Sequence, residues 1–369
     1  MLAVLLAALA LPVALQEPAP AAGLGSLELR LREPIRTGKL RVALHSDPAT
    51  FAQGGPPAVG AVFGPGEPLV LAEVPPGDYA LIVHHDADGD GVLARNFLSI
   101  PTEPLGFARG YQPRGRPLFE RSRVSLRPGE ALTEEVALRA PLGDFGALGV
   151  GVGAVVQGLP YRGASGALIQ PIPVATYLGR DIAWFGPQLQ YAVARYGAAQ
   201  VAATVRARFP AYEERDAEVL RGLGDRDLVA LFGVQTDLDL GADWVLRLGY
   251  EHDAFDTVGG GEATAALRRR IDRGALSLTP SLGLRYTAQD LVAHDFGVPL
   301  EFATAERSAY RPGDSLALEL GLNARVELSE RWQLLFNVTA QRFDGEVTDS
   351  PLVEDDVRIS GIVGLVYTF

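Results

Sequence analysis

The strictest constraint on this chain of 369 residues is a two-residue rhythm in its C-terminal part. Leu316, Leu318, Leu320, Leu322, Ala324, Val326 and Leu328 alternate without a break with Ser315, Ala317, Glu319, Gly321, Asn323, Arg325 and Glu327. Successive strand side chains point to opposite faces, so this segment has one greasy and one polar face. Leu276, Leu278, Pro280, Leu282, Leu284 and Tyr286 repeat the pattern, as do Trp244, Leu246, Leu248 and Tyr250. In a sandwich the polar face meets water; in a barrel the apolar face meets lipid. Length decides between them: the strands run roughly 11 to 14 residues, against about 5 to 6 in soluble sheets, and cross a bilayer when tilted.

The strand ends agree. Trp184, Trp244, Tyr250, Tyr286, Trp332 and Tyr367 fall where membrane interfaces favour amphipathic rings. Val357, Ile359, Gly361, Val363, Leu365, Tyr367 and Phe369 share the last strand's greasy face, an ending that resembles the recognition signal of bacterial outer-membrane barrels. Tight connections (240–242, 272–274, 329–331) alternate with long ones (212–226, 289–314, 344–356). Eleven candidate strands can be counted. Single-chain bacterial barrels carry even numbers with both termini in the periplasm, so 12 strands are expected, with 10 as the alternative.

Residues 26–138 have a shorter beat. Leu27, Leu29 and Leu31 alternate with charged neighbours, as do Leu40, Val42 and Leu44 with Lys39, Arg41 and Ala43, and Tyr79, Leu81 and Val83 follow a Pro75-Pro76-Gly77-Asp78 turn. The predicted fold is all-β: a small β-sandwich over 24–140, a linker near 139–146, and an antiparallel transmembrane β-barrel over 147–369. Residues 2–15 form an apolar run too short to span a bilayer and suited to a signal peptide over 1–21, with cleavage after Gln16 or Ala21 left open. The expected location is the outer membrane, with the sandwich in the periplasm.

A net charge of -12 offers no basic stripe for nucleic acid. The absence of cysteine excludes disulfides, thiolate catalysis and sulfur-ligated zinc. The sharpest local motif is Asp86-Ala87-Asp88-Gly89-Asp90-Gly91. Carboxylates at Asp86, Asp88 and Asp90 are spaced to wrap Ca²⁺, with Glu103 as a further oxygen if the loop folds back, but Phe97 stands where an EF-hand needs Glu. The competing and leading reading is an Asx-rich turn capping backbone amides. His84 and His85 point to opposite faces and read as structural. His252-Asp253 at a strand end and His294-Asp295 are the barrel's only His-Asp pairs, and no serine at a telling spacing completes a triad. Arg206, Arg208, Asp237, Asp239, Arg247, Glu251, Arg285, Glu319 and Arg325 are expected to face inward and pair across the lumen.

Several segments carry a family resemblance: Pro160-Tyr161-Arg162-Gly163, residues 220–226 (LRGLGDR), Gly297-Val298 with Glu301, Tyr310-Arg311-Pro312-Gly313, residues 349–353 (DSPLV) and the closing 364–369 (GLVYTF). In this order they resemble the MltA-interacting protein family, also called MipA/OmpV, across 147–369. The resemblance implies an outer-membrane barrel, and a scaffold role that brings a murein hydrolase and a peptidoglycan synthase together. The N-terminal part is similar to domain-of-unknown-function family 2141 through residues 76–80 (PGDYA), His85-Asp86, Asp88, Asp90-Gly91, Ile100-Pro101, Glu103, Gly106-Phe107, Pro117 and Phe119. Together these readings predict a protein that is not an enzyme and needs no cofactor beyond a candidate structural Ca²⁺. It would be a scaffold for cell-wall maintenance, with a small solute channel as the alternative and a barrel-rim hydrolase as a third class.

Overall fold

A computed structural model of the chain describes residues 23–96, 100–113, 116–143, 146–164, 166–329 and 331–369. The expected signal peptide lies outside the described residues. The chain divides into two units, the first drawn mainly from residues up to Arg139, the second comprising Ala140–Phe369 with Val92–Pro104.

The first unit is two small sheets built from strands β1 (Gly25–Leu31), β2 (Lys39–His45), β3 (Val59–Phe63), β4 (Val70–Val74), β5 (Gly77–Asp86), β6 (Leu105–Phe107), β7 (Arg123–Leu126) and β8 (Ala131–Val136). Strand β1 pairs antiparallel with β4 and parallel with β8, while β2 lies between β3 and β5, which also carries β6 and β7. The alternation read from sequence becomes the core: Leu27, Leu29, Leu40, Val42, Leu44, Leu81 and Val83 are buried together with Val124, Leu126 and Val136. Each apolar side chain so buried contributes about 1.5–3 kcal/mol, and sheets this small depend on such a shared apolar face for their stability. A short helix, α1 (Pro48–Gln53), follows β2. Asp47 caps it by accepting from Thr50 N at 2.9 Å, and Gly54, at φ 67°, ends it in the left-handed region that side chains disfavour.

The second unit is a closed antiparallel barrel. Its segments are β9 (Ala147–Gly158), β10 (Ala167–Leu178), β11 (Ile182–Phe185), β12 (Gln188–Tyr196), β13 (Ala199–Arg208), β14 (Val229–Gly241), β15 (Trp244–Asp253), β16 (Gly261–Arg269), β17 (Ile271–Arg273), β18 (Leu276–Thr287), β19 (Ser315–Glu327), β20 (Trp332–Arg342) and β21 (Val357–Thr368). Segments β16 and β17 are halves of one strand, interrupted opposite Pro280, which has no N–H for the ladder. The sheet therefore has 12 strands. It closes where β21 pairs with β9, from Ser360 against Gln157 to Thr368 against Gly149, so no edge strand is left at the seam.

Leu316, Leu318, Leu320, Val152 and Ile359 point outward and are exposed, an arrangement that water penalises and lipid does not. Trp332 and Tyr367, paired across β20 and β21, stack edge to face at 5.2 Å at the end near the chain terminus. The tight Gly241-Ala242-Asp243 turn belongs to that same end and holds all three residues at positive φ.

Candidate functional site

The barrel lumen collects the charges that the two-residue register points inward. Glu262 of β16 is at their centre, accepting from Arg206 Nη2 at 2.6 Å, Arg208 Nε at 2.9 Å and Arg285 Nη1 at 2.6 Å. Arg206 also donates to Glu251 Oε2 and Arg285 to Glu319 Oε1, both at 2.6 Å. Arg208 reaches beyond the wall to grip Asp295 with both terminal nitrogens. Nearer the other end, Arg247 and Asp237 form a two-pronged pair at 2.7 and 2.8 Å. A charge in a low-dielectric interior is tolerated only when partnered, and forked Arg-carboxylate pairs satisfy both requirements of charge and direction.

Above this network the long connections fold into the barrel mouth. Helix α2 (Gln289–Phe296) brings Val292, Asp295 and Phe296 inward, where they meet Tyr161, Tyr212, Leu220, Leu223, Val298, Phe343, Val347, Leu352 and Val353 in one buried cluster. Tyr161 donates to Asp295 O, Ser350 Oγ to Phe296 O at 2.7 Å, and Arg307 to the carbonyls of Val219, Arg221 and Phe302. Short bridges join Tyr161 to Val353 and Val298 to Tyr310. The plug is therefore tied by backbone as well as by apolar burial.

Between plug and network lies a cavity of about 290 Å³ whose lining includes Val155, Gln157, Arg208, Glu262, Phe296 and Arg358. Arg358 donates to Gln341 Oε1 at 2.8 Å and lies over the Phe343 ring at 5.3 Å. Among the described residues it is the arginine of this cavity with no carboxylate at salt-bridge distance, Asp295 acting on it only from farther off.

Most of the expected inward set does pair in the lumen, namely Arg206, Arg208, Asp237, Arg247, Glu251, Arg285 and Glu319, but Arg247 with Asp237 and Arg285 with Glu319 pair between adjacent strands and not across the lumen as expected. Asp239 instead accepts from Gly241 N in its turn. The alternation reading did not single out Glu262, Asp295 or Arg358. Glu262 and Arg358 alternate with outward residues, a signal that Ala263 and Ala265 weaken for the first. Asp295 lies in a loop helix and had no strand register to betray it. His252 and Asp253 fall on opposite faces: His252 stacks against Tyr250, and Asp253 caps the backbone of Phe255, Val258 and Gly259. The rim-hydrolase geometry is not assembled there.

In the first unit, Asp86 is out of solvent contact and accepts from Gly89 N, Gly91 N and Arg41 Nε, the last at 2.7 Å. The Arg41 guanidinium, helped by those two amides, holds its carboxyl below the usual carboxylate range. Asp88 accepts from Asp90 N at 3.2 Å and offers an oxygen within 4.8 Å of Asp86. Glu103 accepts from Ala94 N at 2.9 Å. His84 and His85 do face opposite ways, His84 buried and His85 bonded to Thr37 O.

A closed 12-strand wall with an apolar outer face, a paired lumen and a folded plug defines a bacterial outer-membrane β-barrel. The family described as MltA-interacting protein MipA matches residues 150–369, more than half of the chain, and the chain belongs to that family. A second description, an uncharacterised protein conserved in bacteria (DUF2141), matches residues 34–133. The outer membrane protein Omp26La of Vibrio anguillarum is 29% identical over 143 residues, covering 39% of this chain and 55% of that protein. OmpV of Vibrio cholerae is 27% identical, covering 39% of this chain and 56% of its own length, so the chain spans about half of these two relatives. The MltA-interacting protein of Escherichia coli is 28% identical over 60% of this chain and 89% of its own length. The segments 160–163, 220–226, 297–301, 310–313 and 349–353, which carry the family resemblance, all belong to the loop plug or border it.

Proposed function

We propose that this protein is a closed, non-catalytic barrel that anchors its N-terminal β-domain in the periplasm and serves as an interaction partner for peptidoglycan-maintenance machinery. The observation that carries the reading is the plug: an apolar cluster that includes Val292 and Phe296 of α2 fills the loop end of the lumen and is fastened to the wall through Arg208 and Asp295. The partner side of the reading is supported by the name of the Escherichia coli relative, MltA-interacting protein, which fits a murein hydrolase as partner; a peptidoglycan synthase as second partner rests on the family resemblance alone. The chain runs from the N-terminal domain into strand β9, which pairs with the C-terminal strand β21, and both termini of such barrels face the periplasm.

A small-solute channel is the second reading, favoured by the cavity beside Arg358. Planar-bilayer recording of the purified chain separates the two. The scaffold reading expects brief or absent current steps, and a sustained open current overturns it. Crosslinking in whole cells followed by mass spectrometry tests the partners: recovery of cell-wall hydrolases or synthases with the intact chain supports the scaffold, and recovery of none rejects it.

A further inference from the structure

The barrel wall is not of even height. Strand β10 pairs with β9 along its whole length, from Ala167 against Gly158 to Leu178 against Ala147, but β11 on its other side reaches only Thr176. The β11–β12 hairpin turns back at Gly186 and Pro187, where Gly186 N donates to Ala175 O. In the half of the wall nearer the plug, the edge of β10 from Ala167 to Val174 therefore faces no strand, and no backbone partner among the described residues meets it.

Lipid cannot hydrogen-bond a bare strand edge, so such an edge is costly in a membrane. The sequence reduces that cost at this place. The N–H and C=O of one strand residue point the same way and alternate along the chain, so the bond to Ala175 O fixes Ala167, Ile169, Pro171 and Pro173 as the residues whose backbone faces the opening. Two of them are prolines, which have no N–H to orphan. The same prolines make the edge a poor template for strand addition, because a docking strand would find no donor at either position.

The lumen face beside the opening is also unusual. Gln157 and Val155 line the cavity, and their β10 partners are Leu168 and Gln170, followed on that face by Ile172 and Val174. Most of this wall is apolar, in contrast to the Arg and Glu opposite. On the far side of the opening Pro187, Ala207 and Phe209 line the cavity too, so it reaches the hairpin side of the notch, and the β10 face lies just beyond its lining. Arg358 stands two strands from the open edge, bonded to an amide and lying over a ring, with no carboxylate at salt-bridge distance among the described residues.

We propose that the notch between β10 and the β11–β12 hairpin is a lateral port through which a membrane-borne amphiphile reaches the cavity, its acidic head held by Arg358 and its chain lying along the β10 wall. The cavity is at the small end for ligand sites, which suits a head group with the first part of a chain. The port is independent of the partner reading and requires no opening of the plug.

The absence of cysteine makes single-cysteine variants clean probes. In phosphatidylcholine vesicles, a palmitoyl maleimide is expected to label Ile172→Cys, on the lumen face of the open edge, and to leave Ser281→Cys, on the lumen face of β18, unmodified. Equal labelling of both, or of neither, overturns the port; Leu168→Cys replaces Ile172→Cys if the latter does not yield folded barrel by heat-modifiable electrophoresis. In nanodiscs, dodecyl phosphate is expected to bind, and Arg358→Gln to weaken it by about ten-fold, the loss of one charge-assisted contact. Dodecanol binding should not change with that variant. Inorganic phosphate binding as tightly as dodecyl phosphate would assign the site to a free anion and overturn the lipid proposal. A dimer by light scattering in which Ile172→Cys is protected would assign the edge to strand pairing instead.

Discussion

Arg208 of the barrel wall holds Asp295 of helix α2 by both terminal nitrogens, and its Nε holds Glu262 at the same time. One side chain thus ties the plug to the lumen network. Arg208→Ala strands Asp295, which is only 2% exposed, as an unpaired charge. Breaking a buried pair from one side costs about 3–5 kcal/mol. The expected outcome is a lower urea midpoint in detergent, faster amide exchange over 289–296, and current steps absent from the parent chain. An unchanged midpoint and a silent bilayer would show that the plug does not depend on this contact.

Gly151 stands at the closure of the barrel, where a Cβ would lie 1.9 Å from Leu365 O. Gly151→Ala is expected to part β9 from β21 or force their backbones to shift, reducing the yield of the compact, heat-modifiable form. Gly163→Ala, at a loop position with open space around it, is strained only by its own φ of 71° and should leave that yield much closer to the parent.

Acid should weaken the N-terminal domain in two stages. His45 is buried, its Nδ1 has no hydrogen-bond partner, and burial lowers its pKa from 6.5. Its neutral form is favoured in the fold, so its contribution is full above 6.5 and declines as pH falls through the lowered value. Asp86, lowered from 3.8 chiefly by Arg41, contributes fully above 3.8 and loses that contribution below it. Thermal unfolding of the full chain followed across pH 3 to 8 checks this. Asp86→Asn should remove the lower stage, and a melting temperature that rises on acidification would contradict both assignments.

Calcium at Asp86, Asp88 and Asp90 is a separate proposal. A cation would have to share Asp86 with Arg41 and two backbone amides. Binding to the folded state alone must raise its melting temperature. A rise in the full chain at millimolar Ca²⁺, lost in Asp88→Asn, would establish the site. No shift would leave the loop as an Asx turn that needs no ion.

The class of fold was legible because lipid imposes a regular code. Leu316 to Leu328 could only alternate as they do on a strand with two different solvents, and the even strand number followed from where the termini must lie. The lumen pairs were half legible: Arg206, Arg285 and Glu319 have the register, but pairing depends on which strands become neighbours. Glu262 meets Arg285 across its own pairing with β18, but it reaches Arg206 and Arg208 on β13, three strands away, only because the sheet curls round the lumen. No local pattern encodes that.

What the sequence determined by itself was the direction of each strand side chain, since a two-residue period is a property of the backbone alone. It also determined the class of environment on either face, since transfer from water to hydrocarbon depends on the residue and not on its neighbours. Only the tertiary structure decided that Asp295, from a loop, completes the lumen network. It also decided that Pro171 and Pro173 sit on an edge that no backbone partner among the described residues meets. Both depend on distances between segments far apart in the chain, and those are fixed by closure of the whole sheet.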